Sequence, residues 1–232
     1  MTTFALAHGA WHGAWCWELL TPHLQRAGHD VIATDLPIDD GSANFDDHAD
    51  VVCAALEGCD DDVVLVGHSF GGCVIPLVAA RRRVRHLVYL CAAVPDIGRS
   101  VKDQLADGML NPRMNAGIAP PDAQMRTSWV DLDIAREVFY ADCGQSVADA
   151  AWSRLRPHAL HPSRVPFSLS EFPSVPTTSV VCSEDLVVEP EWSRRVARDR
   201  LNAEVIELPG SHSPFYSRPA VLADVLLGLA AD

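Results

Sequence analysis

The sequence of 232 residues has no long hydrophobic run, and its longest apolar stretch, residues 87–94, is eight residues. A bilayer-spanning helix needs roughly 20 apolar residues, so no transmembrane helix is expected. A basic segment is also missing from the N-terminus, where a strand candidate begins almost at once, and no signal peptide is expected. Hydrophobic residues at 48% and charged residues at 21% are typical of a soluble globular protein.

Positive charge is scarce in this chain. The 18 Lys and Arg residues against 31 Asp and Glu residues give a net charge of −13, which repels phosphate backbones and anionic membranes. Neither nucleic acid nor a membrane is therefore an expected partner. The basic cluster Arg81, Arg82, Arg83 and Arg85 follows an apolar helical stretch, where cations favour the negative end of the helix. Lysine occurs once, at Lys102.

The seven cysteines include no C-x-x-C pair, and their odd number argues against a disulfide framework. We expect free thiols in a reducing compartment, with the cytoplasm as the default. The sequence also lacks a phosphate loop, a dinucleotide fingerprint and the His–Cys spacing of a zinc site. His158 and His161 have helical spacing, but Pro157 and Pro162 interrupt a helix there. These motifs therefore predict neither a nucleotide-binding loop nor a metal site.

Short β-branched runs alternate with longer helical patterns, which is typical of βαβ units and a parallel sheet. Strands are predicted at residues 3–7, 30–34, 63–66, 84–90, 177–182 and 204–208. Helices are predicted at residues 17–26, 46–56, 71–80, 191–200 and 218–230. The sequence thus predicts an α/β fold with a mostly parallel six-stranded sheet flanked by helices.

Residues 95–176 interrupt this alternation after the fourth strand. They contain no clear strand, nine of the 16 prolines, and short helical stretches around residues 131–142 and 146–155. An insertion of this length predicts a helical cap or lid on a single domain of residues 1–232. Its large apolar side chains either line a pocket or pack the cap onto the sheet: Met109, Met114, Met125, Trp129, Phe139, Trp152 and Phe167.

The strongest motif is G-x-S-x-G around Ser69, between an apolar strand and an apolar helix. A serine at such a sharp turn is held in a strained backbone conformation, and Gly67 and Gly71 leave room for the turn. The following helix N-terminus stabilises negative charge that develops nearby. The motif predicts Ser69 as a nucleophile; the alternative is a glycine-rich turn without chemistry.

A serine nucleophile needs a base, and that base needs an acid to orient it. His212 lies just after the last predicted strand and is the predicted base. The acid should follow a strand between the serine and the histidine. Asp185 is favoured there because a short side chain is the commoner arrangement, Glu184 is second and Asp96 third, and each could instead only cap a helix.

Acyl transfer also needs hydrogen-bond donors for the oxyanion. One is expected to be the backbone N–H of Phe70, directly after the nucleophile. The other is expected from the loop after the first strand, where Gly9 permits a tight turn that presents the N–H of Ala10.

Three stretches carry a family resemblance: HGAWHGAWCW at residues 8–17, AGHDV at 27–31 and TDLP at 34–37. They are similar to the α/β-hydrolase branch that holds plant methylesterases, hydroxynitrile lyases and bacterial esterase relatives. The resemblance runs from end to end but is weak through residues 95–175. It implies Ser69, Asp185 and His212 as a catalytic triad, an enzyme without a cofactor, and a possible homodimer.

Two positions distinguish the chemistries of that branch. The hydroxynitrile lyases carry a Lys directly after the catalytic His and a Thr on the oxyanion loop, where this chain has Ser213 and Gly9. The sequence therefore predicts a serine hydrolase that cleaves small-molecule esters of small to medium apolar acids through an acyl-enzyme. A hydroxynitrile lyase-like or other cofactor-independent lyase is the alternative. A non-enzymatic binding protein is disfavoured because no triad member is missing, and carboxylester, thioester and lactone substrates all stay open.

Overall fold

The computed structural model describes residues 1–231, and a parallel sheet forms its centre. In these residues the chain forms eight strands: β1 (Thr3–Ala7), β2 (Asp30–Thr34), β3 (Val63–His68), β4 (His86–Leu90), β5 (Arg126–Thr127), β6 (His158–Ala159), β7 (Thr177–Cys182) and β8 (Glu204–Leu208). Six of them form one sheet in the order β2-β1-β3-β4-β7-β8, and every neighbouring pair is parallel. The predicted six-stranded α/β sheet is confirmed.

Helices flank this sheet and build the cap. They are α1 (Thr21–Arg26), α2 (Phe45–Ala55), α3 (Ile75–Arg81), α4 (Val101–Gln104), α5 (Leu132–Phe139), α6 (Gln145–Trp152), α7 (Pro190–Asp199), α8 (Pro214–Ser217) and α9 (Pro219–Ala231). The start of α2 shows why a helix begins there: the Asn44 side chain accepts from the N–H groups of Asp46 and Asp47, and the Asp47 carboxylate accepts from the N–H of Asn44. Among residues 1–231, none of the helices combines the length and the hydropathy that crossing a bilayer requires.

The central strands β1 and β3 are buried along their whole length. Parallel strands covered on both faces lose the alternation of polar and apolar residues and become continuous apolar runs. This is why the short runs in the sequence predict the sheet so well. Only two strand bounds differ: β3 extends two residues further, to His68, and β4 begins at His86.

Two predicted helices are shorter than expected because each contains an early proline. A 3-10 turn, Ser69–Cys73, precedes α3, and another, Ala14–Trp17, precedes α1. Proline lacks the N–H that would continue a helix through its position, so it favours the first turn of a new one. Pro76 and Pro22 occupy that place in α3 and α1.

Ion pairs and hydrogen bonds hold most of the basic cluster at the end of α3 against the rest of the fold. Arg81 pairs with Asp46 at 2.5 Å, and Arg85 pairs with Asp62 at 2.8 Å. Arg82 donates to the backbone carbonyl of Leu56 at 2.6 Å. These contacts join α3 to the neighbouring acidic segments.

The segment between β4 and β7 contains α4, α5, α6 and several 3-10 turns. It also contains strands, contrary to expectation, because β5 and β6 form a small antiparallel sheet. Strands of two residues are too short to produce an alternating pattern in the sequence. The N–H of Ala159 donates to the carbonyl of Ile38 at 2.6 Å, and the N–H of Arg156 donates to that of Trp11 at 2.8 Å. The small sheet thus joins the cap to the loops that follow β1 and β2.

Candidate active site

The candidate site lies where the strand order of the sheet reverses. The chain runs from β1 outward to β2 and then returns to β3 on the other side of β1. In open parallel sheets, ligands bind in the crevice at the carboxyl ends of the strands at such a point. The two loops that meet there carry residues 8–11 after β1 and Ser69 after β3.

Ser69 occupies a strained turn. It is the first residue of the 3-10 turn after β3, is half-buried, and has a positive φ of 52°. A Cβ on Gly67 would lie 2.6 Å from the carbonyl oxygen of Gly71, and a Cβ on Gly71 would lie 2.5 Å from that of Ala7. The two flanking glycines are therefore required by space, as the motif predicts. A left-handed residue other than glycine costs roughly 1–3 kcal/mol and persists where its surroundings enforce it.

Asp185 and His212 form a buried hydrogen-bonded pair. The Nδ1–H of His212 donates to Oδ2 of Asp185 at 2.8 Å, and both side chains are almost fully buried. The other carboxylate oxygen, Oδ1, accepts from the N–H of Val187 at 2.7 Å and from that of Val188 at 3.1 Å. Both oxygens of Asp185 are therefore fixed, and the imidazole is held with its proton on Nδ1.

The other two candidate acids lie elsewhere. Glu184 is exposed to solvent. Asp96 is half-buried and accepts from Arg99 at 2.9 Å. Of the three carboxylates, the structure brings only Asp185 to His212.

The second nitrogen of His212 is available. Within residues 1–231, Nε2 of His212 has no hydrogen-bond partner. The Nε2–H of His68 donates to the backbone carbonyl of His212 at 3.0 Å, and the two rings lie 4.5 Å apart. Because His68 directly precedes Ser69, this contact joins the turn after β3 to the loop after β8. Burial holds the pKa of His68 well below its usual range, so this link is neutral.

The predicted oxyanion donors line the same cavity as Ser69: Ala10 and Phe70. Phe70 is the second residue of its 3-10 turn, so its N–H has no acceptor inside the turn.

Gly9 was expected to permit a tight turn, but its φ is not positive. Its added Cβ would lie 2.9 Å from Cβ of Ser69, whereas Trp11 takes the left-handed conformation with a φ of 60°. Glycine is needed at position 9 for close approach to Ser69.

Two histidines fix the loop after β1. The Nδ1–H of His8 donates to the carbonyl of Gly9 at 2.8 Å, and its Nε2 accepts from the N–H of Leu36 at 2.9 Å. The Nδ1–H of His12 donates to the carbonyl of Ala10 at 2.8 Å, and its Nε2 accepts from the Tyr140 hydroxyl at 2.8 Å.

Both imidazoles are neutral at physiological pH. Burial lowers the pKa of His8 to about 3 and that of His12 to about 4. A neutral imidazole can donate from one nitrogen and accept at the other, as both do here. The doubled histidine of the HGAW repeat was the available signal in the sequence, but the partner Tyr140 is too far along the chain to be predicted.

Cys91 is a feature that sequence reasoning missed. Its thiol lies within 4.8 Å of the donor atoms of Asp185 and His212, so the three could be considered as a metal site. A hydrogen bond with Cys182 and burial raise the pKa of Cys91 well above its usual range. Metal binding requires a thiolate, so this trio fits a metal poorly. The neutral thiol is instead a buried neighbour of the Asp–His pair.

A cavity of about 560 Å³ opens beside Ser69. The cap contributes most of its apolar wall, including Met109, Leu110 and Met114. The other five of the seven large apolar residues of the cap do not line this cavity. Trp129, Phe139 and Phe167 are buried in the core, Trp152 is half-buried, and Met125 is 43% exposed. Both predicted roles of these residues therefore occur.

The parallel sheet with its strand order and the strained serine turn after β3 together define the α/β-hydrolase fold. The sequence matches the Alpha/beta hydrolase family over residues 4–225, and the chain belongs to that family. It is 29% identical to Methylesterase 7 of Arabidopsis thaliana, over 98% of this chain and 95% of that one. It is 40% identical to a carbendazim hydrolyzing esterase of a Nocardioides species, over 44% of this chain and 46% of that one.

Solved structures show the same fold. A pyrethroid hydrolase from Sphingobium faniae superposes with a TM-score of 0.88 at 24% identity, over 99% of this chain and 97% of that one. A polyneuridine aldehyde esterase superposes with a TM-score of 0.84 at 23% identity, over the full length of both chains. The resemblance stated from the sequence motifs is confirmed.

Proposed function

We propose that this chain is a serine esterase in which Ser69 is the nucleophile, His212 the general base and Asp185 the acid that orients it. The observation that carries the proposal is the buried Asp185–His212 hydrogen bond beside the strained turn of Ser69. The esterase class itself is confirmed by the relatives, which are named methylesterases and a carbendazim hydrolyzing esterase.

The reaction follows from these positions. The Ser69 oxygen attacks the ester carbonyl carbon while its proton passes to Nε2 of His212. The N–H groups of Ala10 and Phe70 stabilise the oxyanion of the tetrahedral intermediate. When the intermediate collapses, the bond to the alkoxy oxygen breaks, that oxygen takes the proton from His212, and the alcohol leaves.

Water completes the cycle. It attacks the acyl-enzyme carbon and gives a proton to His212, which returns it to the Ser69 oxygen as the carboxylic acid is released. The net reaction is ester plus water to acid plus alcohol, with no redox change. Asp185 stays ionised and stabilises the imidazolium that forms twice in each turnover.

The cavity supports esters of small to medium apolar acids. Its volume of about 560 Å³ lies within the usual range for small-molecule pockets, and its wall is mainly apolar. The names of the relatives favour methyl esters among the possible alcohols. Residues 95–176 act in this proposal as a lid on one domain.

The lyase alternative has less support. Ser213 follows His212, and its hydroxyl is buried without a hydrogen-bond partner among the described residues. The lysine that a hydroxynitrile lyase places there is absent. Gly9 has no side chain, so no group at position 9 crowds Ser69 at the oxyanion loop.

Turnover of p-nitrophenyl acetate and butyrate tests the proposal. We expect a burst of nitrophenol from the wild type, and Ser69→Ala should remove both the burst and the labelling by a serine-directed phosphonate. A folded wild-type protein that cleaves no nitrophenyl ester and is not labelled would refute it. Retained turnover in Ser69→Ala would refute the assignment of the nucleophile.

We also propose a reducing compartment, the cytoplasm, for this protein. All seven cysteines are free thiols in the structure, and four of them are buried: Cys16, Cys73, Cys91 and Cys182. Cysteines of this kind suit a reducing environment. We propose as well that the protein forms the homodimer that the resemblance implies. Sedimentation at micromolar concentration tests this oligomeric state.

A further inference from the structure

The cavity beside Ser69 has an unusual charge for this protein. The chain carries 31 acidic and 18 basic residues. Among the described residues that line the cavity, however, there are two cations, Lys102 and Arg164, and no Asp or Glu. An acidic chain that keeps carboxylates out of one apolar cavity and places cations there has a local preference for anions.

These two cations are not used by the fold. Most arginines of the chain pair with carboxylates, as Arg113 does with Glu137 at 2.6 Å and Arg194 with Glu207 at 2.8 Å. Within residues 1–231, neither Lys102 nor Arg164 forms an ion pair or donates a side-chain hydrogen bond. No carboxylate holds either side chain in an ion pair, although the charge of Lys102 contributes to the lowered pKa of the neighbouring Asp103.

Asp103, the carboxylate nearest to Lys102 along the chain, does not form an ion pair with it. Asp103 accepts from the Ser100 hydroxyl at 2.6 Å, and its side chain lies outside the cavity wall. The hydrogen bond from Ser100 is the main cause that lowers the pKa of Asp103. The Asp103 carboxylate is thus held by Ser100 and does not line the cavity.

Lys102 and Arg164 stand on two neighbouring parts of the cap. Lys102 belongs to α4, and Arg164 ends the 3-10 turn Pro162–Arg164, which packs against α4. The N–H of Phe167 donates to the carbonyl of Arg99 at 3.0 Å and ties the two segments together. Both cationic side chains are exposed, whereas Ser69 is half-buried.

Apolar side chains make up most of the rest of the cavity wall. Val101, Leu105, Met109 and Met114 line it with the two cations and Ser69. A ligand that matches this wall has an apolar middle section, an ester at the Ser69 end and a negative charge at the exposed end.

We propose that the natural substrate is an ester with an anionic group, such as a carboxylate, at the end remote from the scissile bond, and that Lys102 and Arg164 bind this group. The inference rests on the proposed function and deepens it. The cations select the acyl part of the substrate, while the chemistry at Ser69 is that of any serine esterase.

Matched esters test the proposal. Monomethyl esters of straight-chain dicarboxylic acids from succinate to sebacate carry a distal carboxylate, and their terminal amides are neutral molecules of the same shape. At the preferred chain length, the wild type should hydrolyse the anionic ester with a kcat/KM about tenfold above that of the amide, chiefly through a lower KM, and added salt should reduce this ratio.

Charge removal assigns the effect to residues. Lys102→Met and Arg164→Met should each lower the anion-to-amide ratio by about threefold to fivefold. The double variant should bring the ratio close to one. Arg198→Met is the matched control, because Arg198 is also exposed but lies outside the cavity wall; it should leave the ratio unchanged.

Two results overturn the proposal: a wild-type ratio of one or less at every chain length, or a ratio unaffected in the double variant. Binding of the same esters to Ser69→Ala, measured by calorimetry, separates this failure from failure of the esterase proposal. Tighter binding of the anionic ester that depends on Lys102 and Arg164 supports the anion site even where turnover is absent. Equal binding of the two esters, with turnover of nitrophenyl esters intact, refutes the anion site alone.

Discussion

Replacing Asp185 by Asn tests the orientation of the proposed base. In the wild type, Oδ1 of Asp185 accepts two backbone N–H groups, from Val187 and Val188, and Oδ2 accepts the Nδ1–H of His212. An Asn side chain has only one carbonyl oxygen. If that oxygen faces the N–H groups of Val187 and Val188, both of these hydrogen bonds are kept and only the contact with His212 changes. The opposite placement would leave two buried N–H groups without acceptors, at about 1–3 kcal/mol each.

The favoured placement turns the Asn NH₂ group toward Nδ1 of His212. That nitrogen must then accept, so the ring proton moves to Nε2, the atom that has to receive the proton of Ser69. We expect kcat to fall by about 10⁴-fold, as when the acid of a Ser-His-Asp triad is replaced in this way. Steady-state hydrolysis of p-nitrophenyl butyrate measures the loss, and urea unfolding verifies that the variant is folded.

Glu184→Gln is the control for this substitution. It removes the same charge from the adjacent position, but the side chain is exposed and makes no contact with His212. Its kcat should stay within about twofold of the wild type, because exposed charges are screened by solvent and salt. If Glu184→Gln lost more activity than Asp185→Asn, or if Asp185→Asn stayed within tenfold of the wild type, the assignment of the acid would be wrong.

Two further predictions concern the loop after β1. Burial lowers the pKa of His8 to about 3 and that of His12 to about 4, so below pH 6.5 the unfolded chain binds protons that the folded chain does not. Each of these imidazoles should lower the free energy of unfolding by about 2 kcal/mol as the pH falls from about 6.5 to 5. The buried His48, His68 and His158, whose pKa values are also lowered, add to the loss. Urea titrations at pH 7.5 and 5.0 check this, and equal stability at both would contradict it. Tyr140→Phe leaves Nε2 of His12 buried without a donor, which should cost about 1–3 kcal/mol of stability and lower kcat. Tyr216→Phe, which loses only a 3.3 Å bond to Glu18, should cost less in a parallel unfolding experiment, and an equal or larger loss would count against the role of His12.

The sheet could be predicted from the sequence because its information is local. Each strand is a short apolar run, and burial on both faces makes that run continuous. The structure of the cap was harder to predict from the sequence. The strand pair Arg126–Thr127 and His158–Ala159 consists of two-residue segments, and its stability comes from contacts with distant loops such as the bond from Ala159 to Ile38. No periodic pattern can signal such a pair.

Part of the candidate site could likewise be predicted from the sequence, and part of it could not. The turn of Ser69 follows from adjacent glycines, and the sequence order places Asp185 and His212 after their strands. The hydrogen bond between His12 and Tyr140 joins residues 128 positions apart in the chain, and the contact of Cys91 with the Asp–His pair depends on how strands β4 and β7 lie side by side. Those features require the tertiary structure.

The single lysine gives the clearest link between composition and proposed specificity. A cation that assists a leaving group has to stand close to the reacting atoms, because charge interactions weaken with distance and with access of water. The position directly after His212 holds the buried, uncharged Ser213, while Lys102 is exposed on α4 of the cap. From there an ammonium group acts on the far end of a bound ester. The cap is also where the family resemblance is weakest, so substrate preference can change there while the residues around Ser69 stay the same.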